Sequence, residues 1–328
     1  MARTQSWGIF NLDKQEFIKE SGTWHDLKSI LFTTSVHSSR LITLLSLPEP
    51  KELRKLDGAK EIYIRTSLGQ LNRIPLELLD MVFAAVDDIV DLACLCLVNY
   101  HMLNVGRKHF DMHLRKHRTW TGDRLICLGS STKLKDLPPD LLTPEERVYY
   151  RKKDQENSMG GLFYDILEIL YDHSRNPRYR VPADRLQGMQ LNEKLILWDL
   201  TDPIYPIDKS WVLCNLSKYQ YVTARAISQY TSGKSVKGPY FCSKSIGFTQ
   251  VLVSQICWAK SADKEIQGSK DTPLHKGRWA GDRFEITTMD RMKHLEGGEE
   301  WKDVSPMIIQ DLEAIWRNHY GVLFRQYV

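Results

Sequence analysis

A chain of 328 residues, 42% hydrophobic and 26% charged, is long enough for two domains or one large one and can bury a sizeable core. Its formal charge of +4, from 45 basic and 41 acidic residues, is too small to make nucleic acid the main partner. No apolar leader opens the sequence and no run of about 18 apolar residues occurs, so a cytoplasmic or nuclear setting is expected, without a membrane.

The six cysteines, at positions 94, 96, 127, 214, 242 and 257, include no C-x-x-C pair, which argues against a zinc ribbon or a thioredoxin-like site. Reduced thiols are expected. The sequon Asn215-Leu-Ser217 carries no weight without secretion.

Taken in order, residues 5–18 read as strand-like, with Trp7, Ile9 and Phe10 before a turn at Asn11-Leu-Asp-Lys14. Residues 28–48 are β-branched and Leu-rich and fit either strand or helix, and 48–60 read as a surface connection. From position 74 the period becomes helical: Pro75 suits a first turn, and Leu78, Leu79, Val82, Phe83 and Val86 fall on one face. A second helix is expected from about Asp91, with Leu92, Leu95, Val98 and Met102, running into the basic stretch 107–118. Thr143-Pro-Glu-Glu146 is a capping box, and Phe163, Ile166, Leu167 and Leu170 mark a further helix. Residues 195–260 read as short β-branched and aromatic runs, and 261–278 as a polar loop. Ser305-Pro306 opens a last helix whose apolar face is Ile308, Leu312, Ile315 and Trp316.

Three short motifs occur twice in the same order. Trp7-Gly-Ile-Phe-Asn-Leu-Asp-Lys14 matches Trp211-Val-Leu-Cys-Asn-Leu-Ser-Lys218, Lys28-Ser-Ile-Leu-Phe-Thr33 matches Lys244-Ser-Ile-Gly-Phe-Thr249, and Trp120-Thr-Gly-Asp-Arg124 matches Trp279-Ala-Gly-Asp-Arg283. The first copy is longer between its second and third motifs, and the helical segment lies within that excess. A repeated β-rich module with a helical insertion is therefore expected.

The helical segment reads Ile74-Pro75-Leu76-Glu77-Leu78-Leu79, then Val82-Phe83, Val86, Asp91-Leu92, Leu95 and Leu97-Val98. It resembles an F-box over about 43 residues, including the spacing from Pro75 to Asp91, and departs from it where Met102 stands in place of a common Trp. The general style is similar to fungal F-box domain-containing proteins. The resemblance implies docking on the Skp-type adaptor of a cullin–RING (SCF-type) ubiquitin ligase through Ile74, Pro75, Glu77, Leu78, Leu79, Val82, Phe83, Asp91, Leu92, Leu95 and Val98. The residues alone say that this hairpin carries more apolar side chains than two helix faces need, so a partner helix or the protein's own core must take the rest.

Other motifs point less far. His109, His113 and His117 would stack on one helix face, but with no carboxylate or Cys at matching spacing and with basic neighbours they read as a solvated basic face, and no metal is expected. The recurring turns offer Trp120, Asp123, Arg124, Trp279, Asp282 and Arg283 either as structural turns or as target contacts, since Trp beside Arg is a common interface composition. Gly233-Lys234-Ser235 lacks the first glycine of a P-loop, because position 228 is Ser, and no hydrolase, metalloprotease or dinucleotide motif appears. The chain is not expected to be an enzyme or to need a cofactor.

These readings give an α+β fold, with a small helical F-box inserted in or attached to a larger β-containing domain that carries a duplicated module. The expected divisions are 1–67 for the first part of copy one, 68–112 for the F-box, 113–200 for the rest of copy one and a helical connection, and 201–328 for copy two with its terminal helix. The expected function is a substrate-recognition adaptor linking a Skp-type adaptor and cullin scaffold to an unknown target protein. The alternative is a non-catalytic duplicated module for a peptide or small ligand, with a purely structural hairpin.

Overall fold

The structure is a computed structural model, described here for residues 7–18, 26–32, 36–48, 73–129, 132–156, 187–189, 191–201, 205–231, 238–240, 246–260, 274–295 and 300–327. In chain order, strands β1 (Trp7–Asn11) and β2 (Glu16–Ile18) form a hairpin and are followed by α1 (Leu27–Phe32) and α2 (Val36–Leu45). Three helices come next: α3 (Leu76–Ala84), α4 (Ile89–Cys96) and α5 (Tyr100–Arg118). Then come β3 (Leu125–Gly129), α6 (Pro144–Glu156) and α7 (Leu191–Thr201). The remainder holds β4 (Trp211–Asn215), β5 (Gln220–Thr223), α8 (Ala224–Tyr230), α9 (Phe248–Ile256), β6 (Cys257–Trp258), β7 (Phe284–Thr288), α10 (Met289–Met292), β8 (Lys302–Asp303) and α11 (Ser305–Tyr320). The mixed α+β class matches expectation.

The chain divides into two compact units. One gathers the described residues up to Leu47, those from Trp120 to Glu156, and those from Pro206 onward; the other takes Pro48 with 73–119 and the stretch 187–205. Beside the sequence-based divisions, α5 runs through the border drawn at 112, and α7, expected in a helical connection, falls in the helical unit.

The sheet unit contains two similar four-stranded mixed sheets, ordered β2-β1-β3-β6 and β7-β4-β5-β8. In each, a central strand opening on Trp (β1 or β4) forms a hairpin with the next strand and pairs antiparallel with the strand that follows the Trp-x-Gly-Asp-Arg turn (β3 or β7). Cys257, just after α9, pairs parallel with Cys127 of β3, and Ser46, just after α2, pairs parallel with Ile286 of β7. The outer neighbour of β3 and of β7 is thus the segment that leaves the other copy's helix. Arg124 and Arg283 meet as antiparallel bridge partners where the two halves join.

All five residues of β1, β3, β4 and β7 are buried, so both faces of these strands are covered and the two-residue alternation of a half-exposed sheet is missing. The hairpin turns place Gln15 and Tyr219 at positive φ, 54° and 51°, at matching positions. The core beside the first sheet joins Phe10, Phe17, Ile126 and Leu128 to Leu137, Leu141, Leu142 and Tyr150.

Several expectations need correction. For residues 28–48, left open between strand and helix, helix is the reading that holds, in α1 and α2. The run 195–260 is not all strand: it contains most of α7 and the whole of α8 and α9. Thr223 caps α8, its hydroxyl accepting from the Ala226 N–H at 3.1 Å. Every residue of α9 is buried; Phe248, Val251, Leu252 and Ile256 do fall on one face, but the helix has only nine residues and its β-branched content reads equally as a buried strand. The Lys28–Thr33 and Lys244–Thr249 motifs are not equivalent, because Ile30 lies inside α1 whereas Ile246 and Gly247 precede α9. The helix expected around Phe163–Leu170, the 48–60 connection beyond Pro48 and most of the 261–278 loop lie outside the described residues.

The capping box at Thr143 is formed, with Glu146 accepting from the Thr143 N–H at 2.8 Å and the Thr143 hydroxyl accepting from the Glu146 N–H at 3.2 Å. Ile308, Leu312, Ile315 and Trp316 are buried along α11. Asn215 is fully buried, which removes the sequon as an acceptor. The five described cysteines carry free thiols. Among the described residues no helix is long and apolar enough to cross a membrane.

Candidate functional site

In the helical unit, Pro75 precedes α3 and its carbonyl accepts from the N–H groups of Leu78 and Leu79, both at 3.1 Å. Asp88 caps α4, accepting from the N–H groups of Val90 at 2.7 Å and Asp91 at 3.2 Å. Asn99 caps α5, accepting from Met102 at 2.9 Å. Those caps fix two short connections and bring three helices together around Leu79, Phe83, Leu92, Cys96, Met102, Leu103 and Phe110, with Ile196, Leu197 and Leu200 of α7 closing the core. Gly106 lets α5 approach: a side-chain carbon there would collide with the Phe83 ring and with Cys96 Sγ at 2.6 Å. Burial pushes the Cys96 thiol up to about 12, with a smaller push from Asp111.

The outward side of α3 is apolar. Leu76 is 54% exposed, Leu78 50%, Met81 66% and Val82 48%, and Val98 beyond α4 is 46% exposed. Pro75, Glu77 and Asp91 are also exposed, whereas Ile74 and Leu95 are partly buried against the core. Leu79, Phe83 and Leu92, read from sequence as partner contacts, instead fill the unit's own core, because that is the side of each helix that faces its neighbours. Leu76 and Met81 were missed; they lie off the stripe of Leu78, Val82 and Val86, and only an excess of apolar residues over one stripe hinted at them.

Beside this face, a cleft of about 510 Å3 is lined by Leu76, Glu77, Asp80, His101, Asn104, Val105 and Lys108. Asp80 binds both Lys108 and His109 at 2.6 Å, and the hydrogen bonds from these two hold its carboxyl below the usual value. His109 is buried and stacked on Phe83, so the expected solvated face does not extend to it; the side chain of His117 lies outside the described ones. No group of three metal-ligating side chains occurs among the described residues.

The recurring turns form the second candidate. Gly122 and Gly281 sit at φ 79° and 89°, a left-handed conformation that suits glycine. Asn11 donates to Asp123 and Asn215 to Asp282, each at 2.7 Å, while Lys14 and Lys218 reach the same two carboxylates at 3.1 and 2.8 Å. The indole N–H groups of Trp120 and Trp279 donate to Glu16 at 2.7 Å and Gln220 at 3.0 Å. Both Trp rings are buried, so as target contacts they are replaced by a structural role in pinning the turn to the hairpin. Neither aspartate pairs with the arginine beside it in sequence: Arg124 binds Asp13 at 2.7 Å and Glu146 at 2.6 Å, and Arg283 binds Asp13 at 2.8 Å. Asp13 and Glu16 were not singled out as site residues in the sequence, and Glu146 only as part of a capping box, because nothing local marks a partner more than 20 residues away.

No family model matches this sequence, no curated protein matches it, and no solved structure matches it.

Proposed function

We propose that the helical unit is an F-box-type docking module and that the chain is a non-enzymatic adaptor, presenting a target protein to a ubiquitin ligase through a Skp-type adaptor. The observation that carries this reading is the apolar outward side of α3, where Leu76, Leu78, Met81 and Val82 are exposed together after Pro75. Scattered exposed hydrophobics are ordinary, whereas several on one short helix suit a helix-in-groove contact. The core of Leu79, Phe83, Leu92 and α7 supports the reading in another way: the hairpin is stabilised from within, so the α3 face is free for recognition.

The sheet unit, which we propose arose by duplication of a hairpin–helix–strand module, would then hold the target. An adaptor of this kind performs no bond chemistry; it raises the local concentration of a target lysine near a ubiquitin-charged enzyme. Cytoplasmic or nuclear residence follows from that role.

The test is calorimetric titration of the full chain with a purified Skp-type adaptor. Binding that Leu78→Asp and Val82→Asp each reduce at least 100-fold, with an unchanged far-UV spectrum, would support the proposal. A folded wild-type chain that does not bind would overturn it and leave the alternative, a duplicated binding module with a structural helical unit.

A further inference from the structure

The two hairpin turns beside the Arg124–Arg283 bridge differ where Asp13 stands in one and Ser217 in the other. In the second copy the Ser217 hydroxyl accepts from the Arg283 backbone N–H at 2.9 Å. In the first, Asp13 takes the same place, its Oδ2 accepting from the Arg124 backbone N–H at 2.9 Å and its Oδ1 from Arg124 Nε at 2.7 Å. That Oδ2 also accepts from the guanidinium of Arg283 at 2.8 Å, which in turn donates to the Gly122 carbonyl at 2.6 Å. One carboxylate therefore holds the arginines of both copies across their junction. Glu146 is the other acid in this group and holds the far side of Arg124 at 2.6 Å, whereas Lys14 is turned to Asp123.

Backbone bonds run beside this cluster. The Gly122 N–H donates to the Phe284 carbonyl at 2.9 Å, and the Gly281 N–H to the Leu125 carbonyl at 2.8 Å. These bonds lie beside the Asp13 cluster and report on whether the halves stay closed. We propose that Asp13 is the lock of a conformational device: while its carboxylate spans both arginines the halves stay closed at the Arg124–Arg283 bridge, and its loss lets them part locally there. This inference is independent of the docking role proposed for the helical unit.

The repeat supplies the test. By the symmetry of the repeat, a carboxylate placed at 217 would take the backbone N–H of Arg283, as Ser217 now does, and face the Arg124 guanidinium across the bridge, as Asp13 takes the Arg124 N–H and faces Arg283. Hydrogen exchange of the Gly122 and Gly281 amides is followed in the full chain at pH 7, with the Leu213 amide in the middle of β4 as internal reference. Asp13→Ser is expected to speed exchange at both glycines at least tenfold while Leu213 changes less than threefold, and the double variant Asp13→Ser, Ser217→Asp is expected to restore protection. If Asp13→Ser does not fold, Asp13→Asn takes its place with the same expectation. Unchanged glycine exchange, equal acceleration at Leu213, or failure of the double variant to restore protection would each overturn the proposal.

Discussion

The Asn11 side chain donates to Asp123 at 2.7 Å from a position with no solvent exposure, and its own oxygen accepts from the Lys14 N–H at 3.0 Å. The same pair of bonds recurs from Asn215, to Asp282 at 2.7 Å and from Lys218 at 3.1 Å. One amide thus closes its own hairpin turn and fastens it to a turn far along the chain. Asn11→Ala removes both bonds and leaves buried groups unpaired, so a loss of about 2–4 kcal/mol is expected in urea unfolding. Asn215→Ala should cost a similar amount. A large effect from one and none from the other would show that the two turns are alike in shape but not in energetic weight.

The two tryptophans should separate by the charge of their acceptors. Trp120 donates to the carboxylate of Glu16 at 2.7 Å, Trp279 to the neutral amide of Gln220 at 3.0 Å. Glu16 is buried, and a carboxylate losing a donor loses more than an amide does. Trp120→Phe is expected to cost about 2–3 kcal/mol and Trp279→Phe about 1 kcal/mol, plus a similar loss of packing in each. Paired thermal melts of the two variants would measure the difference.

Acid should weaken the sheet unit. Burial alone would push the Asp13 carboxyl up, but the bonds from the Arg124 backbone and side chain, with Arg283 nearby, hold it below 3.8. Glu146 is held below 4.5 chiefly by its bond from Arg124. Groups with lowered values in the folded state stabilise it above their unfolded values, and that contribution disappears as the pH falls through the folded ones. The melting temperature should therefore fall from about pH 4.5 downward. Arg124→Met should lower stability by about 1–3 kcal/mol at pH 7 and flatten the acid limb; an acid limb as steep as that of the wild type would count against the network.

Gly106 sets how close α5 comes to α3 and α4. A methyl there meets the Phe83 ring and Cys96 Sγ, both deep in the helical core. Gly106→Ala gains helix propensity worth about 1 kcal/mol, yet overpacking should outweigh that, for a net loss of about 1–3 kcal/mol. Labelling of Cys96 offers a convenient readout. Its thiol is buried and pushed up to about 12, so at pH 8 it should resist a disulfide reagent in the wild-type chain and react faster in the variant.

Adjacent leucines on α3 should behave oppositely. Leu79 is 2% exposed and Leu78 50%. Leu79→Ala is expected to destabilise by about 2–5 kcal/mol through the cavity it leaves. Leu78→Ala should stay within about 0.5 kcal/mol of the wild type, while weakening adaptor binding if the proposed docking role holds. Chemical unfolding alongside titration separates folding from recognition.

Local signals in the sequence determined a good deal. The β1–β2 turn at Asn11–Lys14, the Thr143 capping box and the apolar face of α11 were legible because each depends on residues within a turn or two. The recurrence of Trp7 with Trp211 and of Trp120 with Trp279 announced two similar sheets. The helices at 224–230 and 248–256 were not legible: both are short, and the second, with Thr249, Val251, Val253 and Ile256, reads equally as a buried strand. Tertiary structure alone decided which side of α3 faces out, since Leu78 and Leu79 are chemically identical until a neighbouring helix covers one of them. It alone also decided that Ser46 pairs with Ile286 of the second copy and Cys257 with Cys127 of the first, and that Asp13 serves two arginines. Pairings of that kind join residues more than 100 positions apart, and the physics that selects them, the closing of backbone ladders and the neutralising of buried charge, acts only once the chain has brought both partners together.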